Sequence, residues 1–115
     1  MRTSKLTGEA LHWATAKADG LEPTILPSEY GTGPRVVVGD KHYRPTVDWL
    51  QAGELLERHG VAVGQLPTKA GVWCADFPAD AGKKVHFATK PRTAICRAVV
   101  AAAFGETVEI PEELS

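Results

Sequence analysis

The histidines and cysteines, the residue types most often recruited as metal ligands and catalytic nucleophiles or bases, number six in this sequence: His12, His42, His59, His86, Cys74 and Cys96. None stands in a CxxC, HxxxH or HxH spacing, the arrangements that aim two ligands at one ion from a single turn or strand. Scattered histidines at the surface or the edge of the core are the plainer reading, and no metal is expected. Nucleophilic catalysis has no better support. There is no GxSxG elbow, and either cysteine would need a histidine and an orienting group brought in from distant segments. Gly31-Thr32-Gly33-Pro34 has the glycines of a phosphate loop without its lysine or a following helix, so it reads as a plain loop. The chain is accordingly expected to be no enzyme and to carry no cofactor.

Residues suited to binding are more visible. Asp48-Trp49 admits two readings. An exposed aromatic beside an acid suits a grip on a protein partner. The plainer alternative, and the expectation here, is that Asp48 complements a helix dipole while Trp49 fills the core. Further on, Lys83, Lys84, Lys90, Arg92 and Arg97 fall in a stretch without any acidic residue. Lys90 and Arg92 would lie in the first turn of a helix, where cations oppose the macrodipole by about 0.3–1 kcal/mol each. That placement makes sense if an anion docks at the helix N-terminus, and solvated surface charge is the bland alternative. Glu106, Glu109, Glu112 and Glu113 give the end of the chain the opposite sign. That tail could fold back on the basic stretch, contact a basic partner, or stay solvated.

Hydrophobic spacing supplies the scaffold for these residues. A first amphipathic helix is expected over about Thr7 to Asp19, with Ala10, Trp13, Ala14 and Ala18 on its apolar face and Gly20 beyond its end. Pro23 to Leu26 and Arg35 to Val38 read as a two-stranded ribbon with an irregular link. A second helix is expected from about Thr46, as cap, to His59, with Gly60 as its stop. Trp49, Ala52, Gly53 and Leu56 form its stripe, and Gly53 suggests a close packing contact. Glu54 and Arg58 are spaced to pair on its exposed side. Val61 to Leu66, Val72 to Phe77 and Lys83 to Ala88 read as three strands joined by hairpin-length links. In the middle one, Trp73, Ala75 and Phe77 share a face that should lie under the helices. A third helix, about Lys90 to Phe104, is the most apolar element, and Thr107 to Ile110 suggests a short edge strand.

The fold class is therefore α+β. A small antiparallel sheet carries helices mainly on one face, in an α-β-β-β-α core preceded by a helix and a ribbon. Such a core with basic residues opening its last helix is similar to the double-stranded-RNA-binding fold, a likeness of architecture alone. With 115 residues, 43% hydrophobic and 23% charged, the chain is expected to be a single globular domain, residues 1–115. A formal charge of −1 supplies no general pull toward nucleic acid or membrane surfaces. Two cysteines in apolar runs suggest reduced, buried thiols. Neither a signal peptide nor an apolar run of membrane-spanning length is evident, so a cytoplasmic protein is expected.

Four stretches together resemble the NinX-like phage proteins. They are Leu6-Thr7-Gly8-Glu9-Ala10-Leu11-His12-Trp13-Ala14, Arg44-Pro45-Thr46-Val47-Asp48-Trp49, Lys90-Pro91 through Arg97, and Phe104-Gly105-Glu106-Thr107-Val108-Glu109-Ile110-Pro111-Glu112-Glu113-Leu114. The likeness spans nearly the whole chain and rests on the order of these blocks, with no catalytic motif among them. This chain departs from the family pattern at Thr46-Val47-Asp48-Trp49, where Ser-Thr-Asp-Trp is usual, and at Lys90-Pro91, where Thr-Pro is usual; there Thr89 is positioned to cap instead. The resemblance implies a phage or prophage origin and specifies no activity. The expected role is that of a non-enzymatic accessory protein that binds a host or phage protein. The alternative is a nucleic-acid-binding module using the basic stretch.

Overall fold

The chain folds, in the computed structural model, around three helices and two separate three-stranded antiparallel sheets. The structure describes residues 1–27, 33–80 and 85–114. Gly31 and Thr32 of the glycine loop, together with Lys83 and Lys84, lie outside the described residues.

The α+β core expected from the sequence is present. Strands β4 (Ala62–Gln65), β5 (Trp73–Asp76) and β6 (His86–Ala88) form an antiparallel meander, with Val63 opposite Ala75 and Ala75 opposite His86. Ala75 and Phe77 are buried and Trp73 packs beside them, so the aromatic face does lie under the helices. Helix α3 (Pro91–Phe104) crosses that face. Its Ala94, Ile95, Cys96, Ala98, Val99 and Val100 are all buried, because small residues on several sides let both a sheet and two helices approach. Helices α1 (Gly8–Ala18) and α2 (Trp49–His59) pack on α3 and contribute Leu11, Ala14 and Leu55 to the same core.

The expected ribbon is a full second sheet. Strands β1 (Thr24–Leu26) and β2 (Arg35–Val38) pair with Ile25 opposite Val36, and a third strand, β3 (Lys41–His42), joins β2 through a two-residue turn at Gly39-Asp40. Gly39 adopts φ 65°, the left-handed conformation such tight hairpins require. Val36 and Tyr43 meet Ala16 in a second, smaller apolar cluster, so α1 is enclosed by this sheet on one side and α3 on the other. That enclosure corrects the single-stripe reading of α1: Leu11, His12, Thr15 and Ala16 are buried along with Ala10 and Ala14. Buried Thr15 returns its hydroxyl to the Leu11 carbonyl at 2.7 Å.

Other local expectations change at the element ends. Asp48 caps α2 in place of Thr46, and no side chain caps α3, where Lys90 stands at the cap and Pro91 follows. An added Cβ at Gly53 would meet nothing within 4 Å, so no close contact explains that glycine. Arg58 turns from Glu54 to Asp19, donating from Nε and Nη2 at 3.0 and 2.7 Å and tying the ends of α1 and α2 together. The strand expected near Thr107 reduces to one bridge with Arg2, supported by Val108 N–H to the Met1 carbonyl at 2.9 Å. Val108 is buried and Ile110 and Leu114 pack on the core, which anchors the acidic tail on the body of the protein. No helix among the described residues is long and apolar enough to cross a membrane.

Candidate functional site

The turn between β3 and α2 is where the sequence-selected residues come together. Its backbone doubles back, with the N–H groups of Val47 and Asp48 both donating to the Arg44 carbonyl at 3.0 Å. Gln51 holds the entry strand by accepting from Arg44 N–H at 2.8 Å and donating to the His42 carbonyl at 3.2 Å. Asp48 then starts the helix, its Oδ1 accepting from Leu50 N–H at 2.9 Å and from Gln51 N–H at 3.4 Å, as an N-cap aspartate does.

Trp49 does not fill the core. It is 53% exposed, with Val47 at 59% and Leu50 at 74% beside it. The helical spacing from Trp49 to the buried Ala52 and Leu55 is sound, but the first turn of α2 overhangs the edge of the core, where Arg92 lies against it. The Arg92 guanidinium lies 4.8 Å from the Trp49 ring centroid and donates to the Val47 carbonyl at 3.3 Å. The indole is thus held by a cation on one face while much of its surface meets solvent.

A groove of about 550 Å³ runs beside this turn, lined by Thr46, Val47, Phe87, Lys90, Thr93 and Arg97 among others. Phe87 is half exposed on the edge strand and extends the apolar surface begun by Val47. Of the basic stretch, Arg97 donates from Nε to the Leu6 carbonyl at 3.1 Å and from Nη1 to the Phe87 carbonyl at 2.9 Å. Burial weakens its hold on its proton, which stays bound across any ordinary pH range. Lys90 is exposed at the groove, and Arg92 is engaged with Trp49.

Behind the turn lies a polar cluster that the sequence reading did not assemble. Glu9 on α1 accepts from His12 Nδ1 at 2.9 Å and from His42 Nε2 on β3 at 2.8 Å, with Val36 N–H at 3.4 Å. Burial pushes the Glu9 carboxyl up, but the hydrogen bonds from the two histidines outweigh it and leave the group below its ordinary value. Burial drives His12 the other way from a charged state, and Glu9 only partly offsets that, so His12 is held neutral. An ionised carboxylate can only accept, so the His12 proton sits on Nδ1, and Nε2 accepts from the Thr46 hydroxyl at 2.6 Å. Hydroxyl, imidazole and carboxylate stand in the order of a nucleophilic relay, here with a secondary alcohol and a buried ring. Thr46 is free for this contact because Asp48 has taken the cap.

Glu9, His12 and His42 each place a donor atom within 4.8 Å of the others, the one such trio of histidine, cysteine or acidic side chains among the described residues. The sequence reading weighed histidines and cysteines by their spacing and found no ligand pair. Two signals were present all the same: Glu9 and His12 are three apart on a helix, and Gly39-Asp40 between apolar runs is a hairpin turn that delivers His42. The thiols take no part. Cys96 is buried, with its thiol pushed up to about 12 by burial, and the half-buried Cys74 donates to the Gly64 carbonyl at 3.4 Å.

Comparison with known proteins gives one firm result. The family model described as bacteriophage P22 NinX matches residues 2–103, and the chain belongs to that family. No curated protein matches it significantly.

Proposed function

We propose that this NinX-family phage protein acts by binding, in the cytoplasm of the host, and that the turn at Val47–Leu50 is its docking surface for a host or phage protein. The observation that carries the reading is Trp49, half exposed and held by Arg92 at 4.8 Å, between two exposed aliphatic side chains. A fixed aromatic beside an arginine is the composition of an interface hot spot, and a side chain ordered before binding loses little entropy on contact. Lys90 lines the groove beside Val47 and Arg92 lies on Trp49, which puts positive charge next to the apolar residues, and the Asp48 carboxylate is turned to the helix cap. The matching partner segment is apolar at its centre and acidic at its rim. Catalysis has less support: the thiols are either raised by burial or spent on a carbonyl, and the relay of Thr46, His12 and Glu9 is built on a secondary alcohol and a buried ring.

Nucleic-acid binding is supported less well. Arg97 is oriented by two backbone carbonyls and Arg92 by Trp49 and the Val47 carbonyl. Among the described residues of the basic stretch Lys90 alone projects without a polar partner, and three cations so placed make no continuous phosphate track. Affinity capture from phage-infected cells separates the two readings. Wild type and Trp49→Ser are compared, each with and without nuclease. The docking reading expects a discrete protein, retained after nuclease and lost with Trp49→Ser, whose contacting segment is acidic and apolar. Recovery that nuclease abolishes, or that Trp49→Ser leaves intact, overturns it.

A further inference from the structure

We propose that Glu9, His12 and His42 form a binding site for one divalent transition-metal ion, with Zn²⁺ the best match to the ligand set. Two imidazoles and a carboxylate are borderline donors of the kind Zn²⁺ accepts, and a Glu-x-x-His pair on one helix turn aims two of them the same way. The third comes from a different element, so the ion would bridge α1 and β3. Each histidine nitrogen now lies 2.8–2.9 Å from one Glu9 oxygen across a hydrogen bond, and the three donor atoms all fall within 4.8 Å of one another. Donors around a tetrahedral Zn²⁺ with bonds of about 2.0–2.1 Å are separated by roughly 3.4 Å. Side-chain rotations that open the two histidine–carboxylate contacts and bring all three donors to that spacing would seat the ion.

The protons can be rearranged without stranding a buried group. Metal on His12 Nδ1 requires the ring proton on Nε2. The atom facing Nε2 at 2.6 Å is the Thr46 hydroxyl, which accepts as readily as it donates. Thr46 then supplies the outer hydrogen bond that fixes the tautomer of a ligating histidine. Glu9 and His42 are about one-quarter exposed, which gives the ion a path in and leaves a fourth position for water. The other histidine–carboxylate contact of this kind, His59 with Asp19, faces the Arg58 guanidinium, and a cation there opposes a second one. Through Thr46 the site would also stiffen the turn that carries Trp49, although binding of the ion itself needs no partner.

The test uses the full chain without a histidine tag, dialysed against chelator and titrated calorimetrically with Zn²⁺ alone at neutral pH. The expected result is one ion per chain, with Co²⁺ in its place giving the visible absorption of a low-symmetry nitrogen and oxygen site. His42→Ala, on an exposed strand, should fold as judged by circular dichroism and lose about 100-fold or more in affinity, since removing a ligand costs at least what removing an outer partner costs. Thr46→Val should lose about tenfold or more. His59→Gln should bind as wild type does. Absence of stoichiometric binding in the wild type, or equal affinity in His42→Ala, overturns the site. Because no partner protein is present, either outcome is independent of the docking proposal.

Discussion

Replacing Glu9 tests how firmly the polar cluster holds α1 to the second sheet. Its carboxylate is the common acceptor for His12, His42 and the Val36 N–H, and Glu9→Ala removes that acceptor from all three. Hydrogen bonds to charged groups contribute about 1.5–3 kcal/mol each where they are buried, and an unsatisfied buried donor costs about 1–3 kcal/mol. His42 is about one-quarter exposed and recovers water, so its loss is small; His12 is buried and keeps its full cost. The expected destabilisation of Glu9→Ala is therefore about 3 kcal/mol. For 115 residues, an unfolding entropy near 0.24 kcal/mol/K converts that into a fall of roughly 12 °C in Tm. Glu9→Gln behaves differently. Its amide can donate to His12 Nδ1 once the ring proton moves to Nε2, where the Thr46 hydroxyl accepts it. The expected cost is about 1–1.5 kcal/mol, mostly lost charge assistance. Urea unfolding in the presence of chelator, which removes any metal contribution, measures both. If Glu9→Ala lies within about 0.5 kcal/mol of wild type, the cluster is a surface contact and the reasoning fails.

Acid should weaken the fold through the same residues. Folding depresses both His12 and Glu9, so the unfolded chain takes up protons first and stability is complete only above the ordinary values. The urea midpoint should fall as pH drops below 6.5, where His12 ordinarily titrates beside His42 and Arg44, and fall further below 4.5 with Glu9. A midpoint that rises on acidification in that window contradicts the assignment of His12 as neutral. Ile95 is fully buried at the centre of α3, and Ile95→Ala should cost about 3 kcal/mol in urea unfolding. Cys96 should resist a thiol reagent until the protein is unfolded, whereas half-buried Cys74 should react first; equal rates would contradict the burial of Cys96.

Much of the scaffold is legible in the sequence because local rules and the final packing agree there. The α-β-β-β-α core, the glycine stop after α2 and the inward face of Trp73, Ala75 and Phe77 follow from period, turn chemistry and alternation. The misreadings share one cause, which is that periodicity reports a face without saying what lies opposite it. Trp49 sits on the correct face of α2 but beyond the edge of the core. His12 lies off the apolar stripe of α1 and is buried all the same, since a second sheet closes over that side. Once α1 is enclosed, a buried imidazole needs partners for both nitrogens, and Glu9 and Thr46 supply them from either side. Neither contact spans a motif, which is why the cluster emerges only from the tertiary arrangement.

The most direct test of the docking surface places a photo-crosslinking residue at Leu50, the most exposed large apolar side chain of the turn. Irradiation of phage-infected cells should yield one discrete protein adduct, resistant to nuclease and abolished when Trp49→Ser is added, with the crosslink mapping to an acidic, apolar segment of the partner. A diffuse or absent adduct in cells that express the folded protein, or an adduct unchanged by Trp49→Ser, would contradict the account.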